Sequence, residues 1–211
     1  MQENVVEDYG TRTGTPPCSC SFIAPKVIQV LKQLGCDSVL DVGCGNGALC
    51  GIMQKAGFTV AGADYDAHGV EIAQKTYPDV RFCKASVYED PDVLAEWVGK
   101  RVDCVVSTEV AEHLFDPQSL PRFASRLMQP DGYLIVSTPY HGYLKNLLLA
   151  LVDHWDAHHS PLWKGGHIKF WSRKTLTLLL EHNGFEVLHF HGVGRLPFLW
   201  KSMILVARKK G

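Results

Sequence analysis

The chain has 211 residues, 46% of them hydrophobic and 20% charged, which suits one globular domain with a full core. A formal net charge of −1 gives no electrostatic reason to expect a nucleic-acid or anionic-membrane partner. The longest unbroken apolar run, Leu147 to Val152, is far too short to span a bilayer.

Residues 1–20 are polar and carry Gly10, Gly14, Pro16 and Pro17, so they are expected to form a flexible arm ahead of a single domain over 21–211. Glu3, Glu7 and Asp8 in this stretch do not read as a signal peptide. Phe22 to Leu34 has apolar residues at helical spacing and meets a stop at Gly35. Four short apolar segments follow as strands, 38–42, 58–63, 80–84 and 102–107, with helices over 46–56, 67–76 and 90–98 between them. A further helix is expected from Asp116 to Met128, with Asp116 as N-cap and Pro117 in the first turn. Pro130-Asp131 opens a turn, and 132–138 reads as a fifth strand.

Residues 139–171 form an insertion placed as a cap, with an apolar helix from Tyr143 to Val152 and a stretch rich in His, Trp and Gly. A helix over 172–182 ends at Asn183-Gly184, and strands 185–191 and 200–208 follow with no helix between them. Strands alternating with helices predict an α/β fold with a parallel sheet covered on both faces. The last two strands predict an antiparallel hairpin. The seven cysteines have no regular spacing, and Cys18 and Cys20 have no second pair to complete a zinc site. Reduced thiols in a cytoplasmic protein are therefore expected.

The most informative segment is Val39-Leu-Asp41-Val-Gly43-Cys44-Gly45-Asn-Gly47, a buried strand entering three alternate glycines. Glycines cost backbone entropy, and they make sense where a ligand approaches bare backbone. A second acid, Asp64, closes the next apolar run, 21 residues beyond Gly43. The Gly-x-Gly-x-Gly spacing, with Asp41 two residues ahead, resembles motif I of the class I S-adenosylmethionine (SAM) methyltransferases. The resemblance covers nearly the whole chain from residue 36. It implies a Rossmann-like seven-stranded sheet, mostly parallel, with helices on both faces and the C-terminal hairpin inserted antiparallel.

On that resemblance SAM is the expected cofactor. Asp41, Gly43, Cys44, Gly45 and Gly47 form the turn beside its methionine part, and Asp41 also organises the loop. Asp64 accepts from the ribose hydroxyls, and Tyr65, Ser86 and Val87 shelter the adenine. Thr108 contacts the cofactor through main chain. Many relatives carry an Asp where Ser86 stands, so adenine recognition differs here. Asp66 is expected to cap a helix. Relatives of the ubiquinone type hold the cofactor carboxylate with an Arg in the N-terminal arm; Ile23 takes that spacing here, and Lys26 lies one turn later.

Ser107-Thr108-Glu109-Val110-Ala111-Glu112-His113 follows the fourth strand. In a helical turn Glu109, Glu112 and His113 would share one face. The Glu-x-x-Glu-His form resembles the ubiquinone-biosynthesis O-methyltransferases and the small-RNA 2′-O-methyltransferases. There these side chains and a later His hold a divalent cation, and His167 in Gly165-Gly166-His167 is the counterpart. The expected metal set is Glu109, Glu112, His113 and His167, with Mg²⁺ or another divalent ion. The alternative is internal hydrogen bonding, with Glu109 contacting substrate.

Of ten histidines, His141, His154, His158 and His159 lie in the insertion, and His141 is the first choice as general base, with Glu109 as second catalytic candidate. His182, His189 and His191 are assigned no role. Leu144, Leu147, Leu148 and Leu151, with Trp155 and Trp163, either lid an apolar pocket, pack on the core or meet a lipid surface. The expected activity is methyl transfer to an oxygen of a small aromatic, quinone-like or lipid acceptor, with peripheral membrane contact. RNA 2′-O-methylation and non-catalytic SAM binding are the alternatives.

Overall fold

The structure, a computed structural model, describes residues 13–159 and 165–211. One seven-stranded sheet runs through it in the order β3-β2-β1-β4-β5-β7-β6. Its strands are β1 (Ser38–Val42), β2 (Thr59–Asp64), β3 (Arg81–Lys84), β4 (Val102–Thr108), β5 (Met128–Pro139), β6 (Phe185–Val193) and β7 (Ser202–Lys209). The pairings from β3 through to β5 are parallel. β7 lies antiparallel between β5 and β6, as the consecutive final strands predicted.

The alternation of side chains along the strands explains the two cores. Val39, Cys104, Val106, Ile135, Ile204 and Val206 face one side. They are covered by α1 (Cys20–Gln33), α2 (Ala48–Lys55) and α3 (Ala67–Thr76). Leu40, Val42, Val105, Leu134, Val136 and Leu205 face the other, under α4 (Pro91–Val98), α5 (Ser119–Leu127) and α8 (Arg173–His182). β1 is buried at all five positions, which is why its sequence is an apolar run rather than an alternation.

Side-chain caps set the starts of α3, α4 and α8. Asp66 Oδ1 accepts from His68 N at 3.0 Å, and Asp90 Oδ1 accepts from Asp92 N at 3.0 Å ahead of Pro91. Ser172 and Thr175 form a reciprocal capping box on α8. Two expected boundaries are corrected. α5 begins at Ser119 rather than after Asp116, because Asp116 Oδ1 bonds Gln118 N in a turn, and the Tyr88 hydroxyl accepts from Phe115 N and Asp116 N. β5 begins at Met128 rather than at residue 132. Met128 pairs with Val102, and a register shift with Asp131 at φ 59° absorbs the Pro-Asp turn within the strand.

The insertion supplies α6 (Tyr143–Leu151) and the short α7 (Trp155–His159). No helix among the described residues is long and apolar enough to cross a membrane. Of the expected arm, residues 1–12 lie outside the described residues. The Thr13 and Thr15 carbonyls accept from Asn46 Nδ2 at 2.9 Å each.

Candidate active site

The carboxyl ends of β1, β2 and β4 open onto a cavity of about 600 Å³. Asp41, Gly43, Cys44, Gly45, Asp64, Tyr65, Ser86, Val87, Thr108 and Glu109 all line it. This is where an open α/β sheet binds ligands. The glycines of the turn do different jobs. Gly45 has φ 52°, and a methyl group built on it meets nothing within 4 Å, so its backbone faces open space. Gly43 has φ 85°, and a methyl group there would overlap Val110 Cγ2. Gly47 is not among the lining residues; it packs against Phe82 and Ala73 and starts α2.

Asp64 stands across the turn. Its Oδ2 accepts from Gly45 N at 2.7 Å and its Oδ1 from Asp66 N at 2.8 Å. Each oxygen keeps a second lone pair for a ligand hydroxyl. Burial raises its pKa, against the pull of these backbone donors. Asp41 is almost wholly buried. Its Oδ2 accepts from Cys50 Sγ at 3.3 Å, while Oδ1 has no partner among the described residues. Burial, with a contribution from the charge of Asp64, pushes its pKa up to about 7. A buried carboxylate oxygen facing a cavity without a partner suits a cationic ligand group.

On the adenine side, Tyr65 is partly exposed beneath Lys84, whose ammonium lies 5.5 Å from the ring centre. Ser86 is held in a local turn: its Oγ accepts from Tyr88 N at 3.2 Å and its N–H donates to Glu89 at 3.0 Å. Lys26 does not line the cavity, and its ammonium donates to Gln29 at 2.7 Å. Pro17, Ser19, Cys20, Tyr88 and Val110 line the cavity although sequence reasoning passed over them. The only signal for the first three was their nearness to α1.

Beyond β4 the expected helical turn does not form. Glu109 takes φ 56°, which turns the chain out of the strand without starting a helix. Its carboxylate is directed toward β5 and β7, accepting from Ser137 Oγ at 2.8 Å and Ser202 Oγ at 3.2 Å. Burial raises its pKa to about 7. Glu109 is therefore separate from the group in which Glu112, His113 and His167 each bring a ligand atom within 4.8 Å of the others.

This trio has the chemistry of a cation site. Both Glu112 carboxylate oxygens are buried with no hydrogen-bond partner among the described residues, and burial together with the charge of Glu109 raises its pKa well above the usual range. His113 Nδ1 lies 2.8 Å from the Gly165 carbonyl and 3.2 Å from that of Gly166. A carbonyl only accepts, so Nδ1 carries the proton and the lone pair sits on Nε2, the arrangement that orients metal-binding imidazoles. Burial keeps the pKa values of His113 and His167 low, the latter at about 4, so both rings are neutral near pH 7.

His141 is buried but is not among the residues lining the cavity. It stacks on His159 at 5.5 Å and lies 6.2 Å from His158, under α6 and α7. Burial and the nearby charge of Lys145 lower its pKa to about 4. The leucines of α6 do not pack on the core; Leu144, Leu147, Leu148 and Leu151 are exposed. Trp163 lies outside the described residues.

A methyltransferase-domain family model matches residues 19–190. The human mitochondrial ubiquinone biosynthesis O-methyltransferase is 30% identical over 171 residues, covering 76% of this chain and 44% of the relative. The ubiquinone biosynthesis O-methyltransferase of Paracidovorax citrulli is 36% identical over 130 residues, 59% of this chain and 52% of its own length. The chain thus spans about half the length of the curated relatives it matches. Among solved structures, the magnesium protoporphyrin IX methyltransferase of Synechocystis PCC 6803 with bound SAH superposes with a TM-score of 0.66 at 21% identity, covering 89% of this chain and 82% of that one. A SAM-dependent methyltransferase from Clostridium acetobutylicum ATCC 824 gives 0.66 at 9% identity, covering 89% and 91%. These two likenesses concern the fold. The chain belongs to the methyltransferase-domain family and is similar to ubiquinone biosynthesis O-methyltransferases.

Proposed function

We propose that this chain moves the methyl group of SAM to an oxygen of a small aromatic, quinone-like or lipid acceptor, with a divalent cation held by Glu112, His113 and His167. The observation that carries the reading is the convergence of open Gly45, Asp64 and the Asp41 Oδ1, without a partner among the described residues, on one cavity. The Gly45 backbone admits the nucleoside, Asp64 accepts from the ribose hydroxyls, and Asp41 Oδ1 pairs with the donor's ammonium. The sulfonium supplies the driving force, so the protein's task is to align donor and acceptor and exclude water. Ser137 and Ser202 hold Glu109 at the cavity wall, where a carboxyl group with pKa about 7 can take the acceptor's proton. A cation at the trio would lower the pKa of an acceptor hydroxyl and orient it.

Oxygen as the acceptor atom is supported by the names of the relatives, and the exposed leucines of α6 suit an acceptor presented at a lipid surface. Seven free thiols fit a reducing, cytoplasmic setting. The test is transfer of radiolabelled methyl from SAM to a panel of catechols, hydroquinones, lipids and short RNAs, with and without a chelator. Label on a phenolic oxygen, lost on chelation, is the expected result. Label on RNA alone, or on no acceptor although SAH binds, would overturn the reading in favour of one of its alternatives.

A further inference from the structure

Asp41 lies at the carboxyl end of β1, and the glycine turn folds the chain back so that Cys50 of α2 meets it. The start of α2 can come this close because Ala48, Cys50 and Gly51 are small, and all three are buried. The Cys50 thiol donates to Asp41 Oδ2 at 3.3 Å, and both side chains are shut off from solvent. Among the described residues this is the one hydrogen bond the carboxylate receives, since Oδ1 has no partner there. A thiol is a weak donor, so the ligand-free carboxylate is short of partners. It belongs, moreover, to a residue that lines the cavity.

Four elements bring titratable groups to Asp41. Cys50 comes from α2, Cys44 from the glycine turn, Asp64 from β2 and Cys20 from α1. Burial holds the Cys20 thiol at about 11 and that of Cys50 well above its usual range. Cys44 is raised as well, its hydrogen bond with Cys50 outweighed by burial and the nearby carboxylates. The three thiols therefore keep their protons near neutrality, and Cys50 remains a donor. Burial and the charge of Asp64 both oppose ionisation of Asp41, and the Cys50 bond favours it. The two Asp64 oxygens are already engaged by Gly45 N and Asp66 N, so the grip on the ribose does not pass through Cys50.

Resting on the methyltransferase reading above, we propose that Cys50 is a positioning residue: its thiol holds Asp41 Oδ2 so that Oδ1 presents a fixed acceptor to the ammonium of SAM. Without this bond neither oxygen has a protein partner, nothing fixes the rotation of the carboxyl group, and it keeps its proton to higher pH. Cys50 thus acts on the amino-acid end of the cofactor and not on its nucleoside.

The test is calorimetric binding of SAH, which carries the ammonium, and of 5′-methylthioadenosine, which lacks it, to the parent and Cys50→Ala from about pH 5.5 to about pH 8. In the parent, SAH affinity should rise with pH around a midpoint of about 7 as Asp41 ionises. Loss of the thiol should raise that midpoint by about one pH unit. The ionised fraction at pH 7 then falls from about one half to about one tenth, so SAH should bind about fivefold more weakly to the variant. Methylthioadenosine should bind both proteins equally. Glu109 also titrates at about 7, but it is common to both proteins and cancels in the comparison. SAH affinity independent of pH in the parent would overturn the proposal without any variant. An unmoved midpoint in Cys50→Ala, or in Cys50→Val should the first variant not fold, would do the same. An equal loss for methylthioadenosine would reveal a distorted turn and refute the positioning role. Failure of both ligands to bind the parent would instead count against the methyltransferase reading.

Discussion

Replacing Asp41 by Asn should make the ligand-free protein more stable, and increasingly so as pH rises. The carboxylate is buried, one oxygen has no partner among the described residues, and its pKa moves from 3.8 to about 7 on folding. The folded state therefore binds this proton more tightly than the unfolded chain does. Its contribution to stability is complete below pH 3.8 and is lost as pH rises toward about 7. At about 1.4 kcal/mol per pH unit, the full loss is on the order of 4 kcal/mol. Asparagine has the same shape and no proton to lose. The stability difference between variant and parent should grow by about 2–3 kcal/mol between pH 5 and pH 8. Other titrating groups, including Glu109 and the histidines, are common to both proteins and cancel in that difference. Urea unfolding at pH 5, 6, 7 and 8 measures it. A difference that does not change with pH would refute the reasoning, because Asp41 would then be satisfied in the folded protein. Adding SAH should stabilise the parent more than the variant, since the amino group of the ligand pairs with the carboxylate.

The two open ends of the site make separate predictions. Gly43→Ala would drive a methyl group into Val110 Cγ2 at φ 85° and should lower stability by about 2–4 kcal/mol in thermal or urea unfolding. Gly45→Ala meets open space, so it should cost only about 1–2 kcal/mol for its left-handed backbone while weakening SAH binding much more. Equal effects on binding from both would contradict the different roles given to these glycines. Glu112→Gln removes a buried carboxyl group whose pKa burial raises well above the usual range, so it should raise the stability of the metal-free protein and abolish Mn²⁺ binding followed by electron spin resonance. Mn²⁺ binding with parental affinity in that variant would sink the cation site.

The sheet and the glycine turn were legible because local pattern governs them: apolar runs of strand length, Gly at alternate positions, and an acid closing the next strand. Asp66 and Ser172 cap their helices through contacts two or three residues away, and such contacts are written in the sequence. What escaped depends on distant partners. The start of α5 is set by the Tyr88 hydroxyl, 27 residues from Phe115, and Asn46 meets the Thr13 carbonyl, 33 residues away. Glu109 was read as one face of a helix, but Ser137 and Ser202, 28 and 93 residues away, hold it in a left-handed turn. The leucine stripe of α6 left lid, core and lipid surface open, and the pattern along the helix gave no sign that Lys145 is its buried residue. Spacing finds which groups neighbour each other along an element, and it is blind to what the rest of the sheet brings to meet them.

Titration calorimetry of SAH against the parent and Asp64→Ala tests most directly the proposed nucleoside grip at the β1 and β2 ends. Two charge-assisted hydrogen bonds to ribose at about 1.5–3 kcal/mol each predict a loss of affinity of at least a hundredfold in the variant. SAH affinity unchanged by the substitution, or absent from the parent, would contradict it.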